Sequence, residues 1–311
     1  MRRLVGVLVA LLTLCLPASI ARAAPDAGPY RGLGTWVDVF DYAARAQPEG
    51  APLPVTPDSV PDIAALGART LYLQVVNPEG QVPGVLYDAK LLGEFLSRAH
   101  SDGVDVVAWY LPSAVDVNAD ATMLRAIAKF RASGESFDGI ALDLEDTDGV
   151  PDVEQRNDRI VDLTKRTRKM LGASRPLGAI VYPAVQTEVI NPILWPNFPY
   201  KRLAPYVDVW MPMAYFTFRD TESGYRDPVR YTEESVARLR ERLDDKDAKV
   251  HVIGGIADLA SPEDYAGFLQ AARATKSVGY SMYDFRTTSS AAWPMLRAGG
   301  LTPVAASDPG S

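Results

Sequence analysis

One pattern constrains this chain more than any other. Between Leu33 and Ala298, eight short apolar runs rich in β-forming residues follow one another, with amphipathic helical stretches between and after them. The runs are 33–42, 69–76, 104–111, 137–145, 176–183, 207–215, 249–256 and 278–285. The helical stretches are 58–67, 88–103, 120–134, 151–172, 231–244, 261–275 and a short one at 288–297. Strands that alternate with helices call for a parallel sheet covered by those helices. Eight units in about 270 residues is the size of one barrel. The spacing therefore predicts the α/β class, a single-domain (β/α)8 TIM barrel over 33–298, after a linker at 24–32 and before a disordered tail at 299–311.

Loop lengths orient the barrel. Connections from helix to strand are short, as in "SDGVD" and "DDKDAK", whereas those from strand to helix are long at 43–57, 77–87, 183–201 and 216–230. The long loops gather at the C-terminal ends of the strands, where barrel enzymes place their sites. Two of them, "INPILWPNFPYKRL" and "YFTFRDTESGYRDP", are aromatic enough to wall a groove.

The first residues read as an export signal. "MRR" is a basic start, "LVGVLVALLTLCLPASI" is too short to span a bilayer comfortably, and "ARA" is a small-residue cleavage site before Ala24. A signal peptide over 1–23, and hence a secreted, extracellular protein, is expected. The only cysteine, Cys15, leaves with it, so the mature chain has no disulfide and no thiolate chemistry. It would carry 29 basic against 39 acidic side chains, a net charge of −10, which argues against nucleic acid and anionic membranes as partners. A monomer is expected. The two histidines, His100 and His251, are far apart and look structural, so no zinc site and no Ser-His-Asp triad is expected. No phosphate loop or dinucleotide fingerprint occurs, and no cofactor is expected. The acidic run after Asp143 has the length of a calcium loop. Asp148 stands where such a loop needs glycine, so the run is read as a turn into the next helix and no metal is assigned.

The stretch "FDGIALDLED" (137–146) carries the chemistry. Strand side chains alternate faces, so Ile140, Leu142 and Leu144 share one face and Ala141, Asp143 and Glu145 the other. The apolar set suits the helices, which leaves the second set lining the barrel interior, with Glu145 at the mouth and Asp143 one layer deeper. Two carboxylates in a narrow, partly dry space raise one another's proton affinity, as a general acid requires. The competing reading is a barrel salt bridge, but no base falls inside the strands.

"DGIALDLE" resembles the signature of glycoside hydrolase family 18, the chitinase-like barrels, whose fourth strand reads D-G-x-D-x-D-x-E. Asp138, Asp143 and Glu145 match three of its acids, and Ala141 replaces the middle aspartate. The resemblance implies Glu145 as general acid. It also implies Asp143 as the residue that orients an N-acetyl group, whose carbonyl oxygen attacks the anomeric carbon in place of a protein nucleophile. "MPMAYF" resembles the family's Met-x-Tyr element, which implies that Met213 and Tyr215 point inward, Tyr215 toward the acetamido oxygen. "GYSMYDF" resembles the element supplying the platform under the sugar, here Tyr283.

The remaining candidates for contacting a glycan are Asp38 on the first strand, Tyr110 on the third, Tyr182 at the end of the fifth, and Asp284. Alternation puts Asp284 off the inward set, so it either faces the cleft or hydrogen-bonds within its loop. Two other functions stay open: a glycosidase pairing Glu145 with Asp38 or Asp284, and a non-catalytic carbohydrate-binding protein, favoured by Ala141 and Tyr283.

Overall fold

The computed structural model describes residues 26–76 and 82–300. The expected signal peptide with Cys15, the tail beyond Gly300 and the start of the second long loop lie outside these residues. Eight parallel strands form one sheet: β1 (Gly32–Val37), β2 (Thr70–Gln74), β3 (Asp105–Tyr110), β4 (Gly139–Leu144), β5 (Leu177–Val181), β6 (Val209–Pro212), β7 (His251–Ile256) and β8 (Gly279–Tyr283). The order β6-β5-β4-β3-β2-β1-β8-β7 is that of a barrel opened between β6 and β7. That last seam is closed by two isolated bridges, Trp210 with Val250 and Met213 with Ile253. The chain is a (β/α)8 TIM barrel.

The helices are α1 (Val39–Tyr42), α2 (Val60–Ala65), α3 (Ala89–Ser101), α4 (Val117–Lys129), α5 (Val153–Leu171), α6 (Tyr200–Leu203), α7 (Pro228–Leu243), α8 (Pro262–Ala274) and α9 (Ala292–Ala298). Side-chain caps start most of the long ones: Asp116, Asp152 and Asp227 accept backbone N–H bonds at α4, α5 and α7, and Ser261 forms a capping box with Asp264 at α8. The fifth unit has only the four-residue α6, because its long Pro- and aromatic-rich loop takes the place of a full helix. The first run, read as strand to residue 42, stops at Val37. Asp38 accepts from the N–H groups of Phe40 and Asp41 and turns the chain into α1.

Two cores result from strand alternation. The outer one packs Ile140, Leu142, Leu144 and their counterparts on other strands against the helices. The inner one holds Tyr30, Trp36, Tyr72, Val107, Trp109, Ala141, Ile180, Met211, Met213 and Ile253. The N-terminal end of the cylinder is plugged by Tyr30, which belongs to the segment read as linker. Its hydroxyl donates to Ile140 O (2.7 Å) and accepts from Gly178 N (3.1 Å). Gly178 makes the room, since a Cβ there would stand 2.6 Å from the Tyr30 ring. Above the plug, Trp36 stacks on Tyr72 at 4.3 Å. His251 lies fully inside, its proton affinity pushed down to about 4 by burial. The Tyr30 carbonyl, 2.9 Å from Nδ1, can only accept, so that nitrogen carries the proton. Nε2 then accepts from Ser281 Oγ (3.0 Å), which accepts from Trp36 Nε1 (2.9 Å). The interior is thus solid below the mouth.

Candidate active site

β4 ends at Leu144, so Glu145 is the first residue of the loop at the strand's C-terminal end. Its carboxyl and that of Asp143 line a cavity of about 220 Å³ at the barrel mouth. Trp36, Trp109, Tyr215 and Tyr283 supply aromatic walls, and Ile180, Met213, Ile253 and Ile256 the apolar remainder. Trp109 meets both Trp36 (5.4 Å, 87°) and Tyr283 (6.0 Å, 88°) edge to face. This arrangement fixes three rings against one another.

The two carboxylates differ in their surroundings. Asp143 is 2% exposed. Its Oδ2 accepts from Trp109 Nε1 at 2.9 Å, and its Oδ1 is buried without a hydrogen-bond partner. Burial, and then the charge of Glu145, hold the Asp143 carboxyl protonated well above the ordinary range, against the Trp109 bond that favours the anion. Glu145 is half-buried, and among the described residues no base pairs with it or with Asp143. Its proton affinity is also raised, by burial first and then by Asp146. Of the two, the deeper Asp143 resists ionisation harder.

Hydroxyl donors stand around the pair. Tyr215 is kept protonated by burial, then by the charges of Glu145, Asp143 and Asp284. Tyr182, half-buried just past the end of β5, packs against the inner core behind the cavity lining. Its hydroxyl is pushed up to about 12 by burial and by Glu145 and Asp143. At neutral pH both phenols are therefore donors. Tyr283 donates to Asp38 Oδ2 at 2.7 Å, while Asp38 Oδ1 holds the N-terminus of α1 (2.8 and 3.1 Å). Asp38 thus anchors a pocket wall and does not itself line the cavity. Asp284 is buried, and its Oδ1 accepts from the backbone and the hydroxyl of Thr287 (2.9 and 2.8 Å), the loop alternative raised by alternation.

The structure corrects one candidate. Tyr110 turns away from the pocket into the outer core, and its hydroxyl donates to Asp120 Oδ1 of α4 at 2.6 Å. Its neighbour Trp109 faces inward. From Val106 onward the run "VVAWYL" is apolar on both faces, so polarity gave little clue to the inward set. Register would have supplied it: Trp109 pairs with Ala141, and residues paired across parallel strands share a face. Trp36, which lines the cavity, was also missed, although it shares the alternation parity of Asp38 on the first run.

Asp138, the first acid of the motif, sits at the opposite end of the barrel. Its Oδ2 accepts from Val106 N (2.7 Å) and contacts His100 Nε2 (3.0 Å). Burial works to lower the proton affinity of His100, but the bonds to Asp138 and Glu135 outweigh it and raise it. This pair is structural. Ala141 lies one layer below Asp143, fully buried in the inner core, and offers no polar group to it.

Among the described residues, the group that could hold a metal is Asp38, Asp41 and Asp284, beside the pocket and not in it. The eight large apolar side chains exposed among the described residues, including Phe40, Ile193, Phe218 and Leu259, all lie in segments that follow a strand. Six of the eight strands are thus followed by exposed apolar side chains.

No family model and no curated protein sequence matches this chain. Its (β/α)8 fold, however, is similar to that of solved barrels, several of them glycoside hydrolases. The glycoside hydrolase domain of PgaB (BpsB) from Bordetella bronchiseptica superposes with a TM-score of 0.61 at 15% identity, over 88% of this chain and 99% of that one. A glycoside hydrolase family 18 N-acetylglucosaminidase from Paenibacillus barengoltzii gives 0.55 at 11% identity, over 87% and 100%. An endoglucanase, Cel5A, from Pseudomonas stutzeri gives 0.57 at 14% identity, over 86% and 93%.

Proposed function

We propose that this protein, on a glycoside hydrolase barrel, cleaves a glycan with Glu145 as its general acid. One observation carries the reading. A carboxyl pair with no basic partner among the described residues faces an aromatic cavity, and its deeper, buried member keeps an unpartnered oxygen, Asp143 Oδ1. A buried polar oxygen without a hydrogen-bond partner costs about 1–3 kcal/mol, and a substrate amide placed there would remove that cost.

An N-acetylated sugar meets this demand. Its acetamido N–H donates to Asp143, and its carbonyl oxygen accepts from the Tyr215 hydroxyl. So held, that oxygen attacks the anomeric carbon as the glycosidic C–O bond breaks. Glu145 gives its proton to the departing oxygen and is left as a carboxylate. It then takes a proton from the water that opens the cyclic intermediate, which regenerates both sugar and acid. Asp38 and Asp284 are already engaged by Tyr283, α1 and Thr287, which favours this substrate-assisted route over one with a second protein carboxylate. The cavity lies below the volumes typical of drug-sized ligands and suits one sugar residue, with the remaining chain lying across the exposed apolar side chains that follow the strands. The leader-like residues 1–23 support a reading in which this activity lies outside the cell.

The test is a screen of the purified protein against N-acetylglucosamine-containing and other polysaccharides, with Glu145→Gln as control. Product release by the native protein and none by the variant is the expected result. Binding of a glycan without product by the native protein would replace hydrolysis with carbohydrate binding. Equal turnover by both would remove Glu145 from the mechanism.

A further inference from the structure

Asp41 is an acid that the chemistry above does not use, and it is unusually placed. It is 2% exposed, and its Oδ2 is buried with no hydrogen-bond partner. It belongs to α1, which follows β1, and its side chain is turned toward two other carboxylates. One oxygen each from Asp38, Asp41 and Asp284 lies within 4.8 Å of the others. Among the described residues, the base against them is Arg286, whose guanidinium reaches Asp41 Oδ1 at 3.4 Å and is 57% exposed. One solvated cation therefore faces three carboxylates, two of them buried.

We propose that Asp38, Asp41 and Asp284 bind a hard divalent cation of the Ca2+ type, which ties the end of β1 to the end of β8 beside the pocket. Three features support it. Carboxylate oxygens are the ligands such ions take, and no nitrogen or sulfur donor stands in the group. Oxygens on opposite sides of a bound Ca2+ are about 4.6–5.2 Å apart, so oxygens within 4.8 Å of one another can share one ion without movement of the backbone. An ion there would also supply the partner that Asp41 Oδ2 lacks. Arg286, being largely solvated, is free to swing outward as the ion enters. The consequence reaches the pocket, because Asp38 Oδ2 holds the Tyr283 hydroxyl at 2.7 Å and Tyr283 is a cavity wall. A cation on Asp38 would fix that wall in place.

The experiment uses the whole mature protein, stripped with chelator and titrated with CaCl2, MgCl2 or MnCl2 by calorimetry, with melting temperature followed in parallel. Terbium luminescence, sensitised by the nearby aromatics, gives an independent readout. Ca2+ is expected to bind at one site and to raise the melting temperature by about 5 °C or more at saturation. Asp41→Asn should weaken binding at least tenfold. The same change should raise the melting temperature of the metal-free protein, because it removes one of three like charges. Arg286→Gln, at an exposed position that does not threaten folding, should tighten binding, since the competing cation is gone. No saturable binding by native protein and Arg286→Gln alike would overturn the proposal. So would binding that Arg286→Gln leaves unchanged or weakens, or a melting shift produced by glucosamine, an organic ammonium, and not by Ca2+.

Discussion

Asp143→Asn should make this protein more stable while it disables the site. In the native chain the Asp143 carboxyl is buried with a single donor, Trp109 Nε1, and one oxygen without a partner. An amide keeps the acceptor for Trp109 and turns its NH2 toward the space where Glu145 can accept. Removing an unsatisfied buried acceptor is worth about 1–3 kcal/mol. At about 2–4 °C per kcal/mol for a chain of this order of size, the melting temperature should rise by about 2–12 °C at pH 7.5. The pH dependence fixes the cause. Burial raises the folded-state proton affinity of Asp143, so the folded protein binds the proton more tightly than the unfolded chain does. Stability is then lost as pH rises above the ordinary carboxylate value of about 4, and the loss is complete once the raised folded-state value is passed. The advantage of Asp143→Asn should therefore be small at pH 4 and grow toward neutrality. Scanning calorimetry of both proteins at several pH values measures it. A lower melting temperature for the variant at pH 7.5, or a gain that is the same at every pH, would refute the claim that Asp143 is a strained, functional carboxyl.

Three further outcomes follow from the same geometry. Because burial and Asp146 raise the proton affinity of Glu145 and the general acid must start protonated, kcat/KM should fall as pH rises through that raised value, and Asp146→Asn should move this basic limb to lower pH. Tyr110→Phe should leave kcat/KM unchanged yet lower stability by about 1–3 kcal/mol in a denaturant titration, since it strips buried Asp120 of its 2.6 Å donor; a selective rise in KM would return Tyr110 to the pocket. Gly178→Ala should cost about 1–3 kcal/mol by overpacking against Tyr30, whose ring would be 2.6 Å from the new Cβ, again read from the denaturant midpoint.

The barrel was legible in the sequence because its signals are local. Strand and helix periodicities, capping acids and the contrast between short and long loops are all set within a few residues. On β4 the contrast between Ile140, Leu142 and Leu144 on one face and Asp143 and Glu145 on the other was sharp enough to orient the side chains as well. On β3 that contrast vanished, since "VVAWYL" is apolar throughout, and Tyr110 was chosen where Trp109 lines the cavity. Which face a uniformly apolar strand turns inward is decided by its register with its neighbours, and register is a property of the closed sheet.

The order of elements and the acidic pair at the mouth were thus written in the chain itself, through alternation and the cost of burying charge. Tertiary structure alone decided what surrounds that pair. The Trp109 donor comes from a strand 34 residues away, and the Tyr283 anchor on Asp38 spans 245. Asp41 and Asp284 meet only because closing the barrel brings β1 beside β8. Contacts of that span depend on curvature and packing summed over all eight strands, and no short stretch of sequence encodes them.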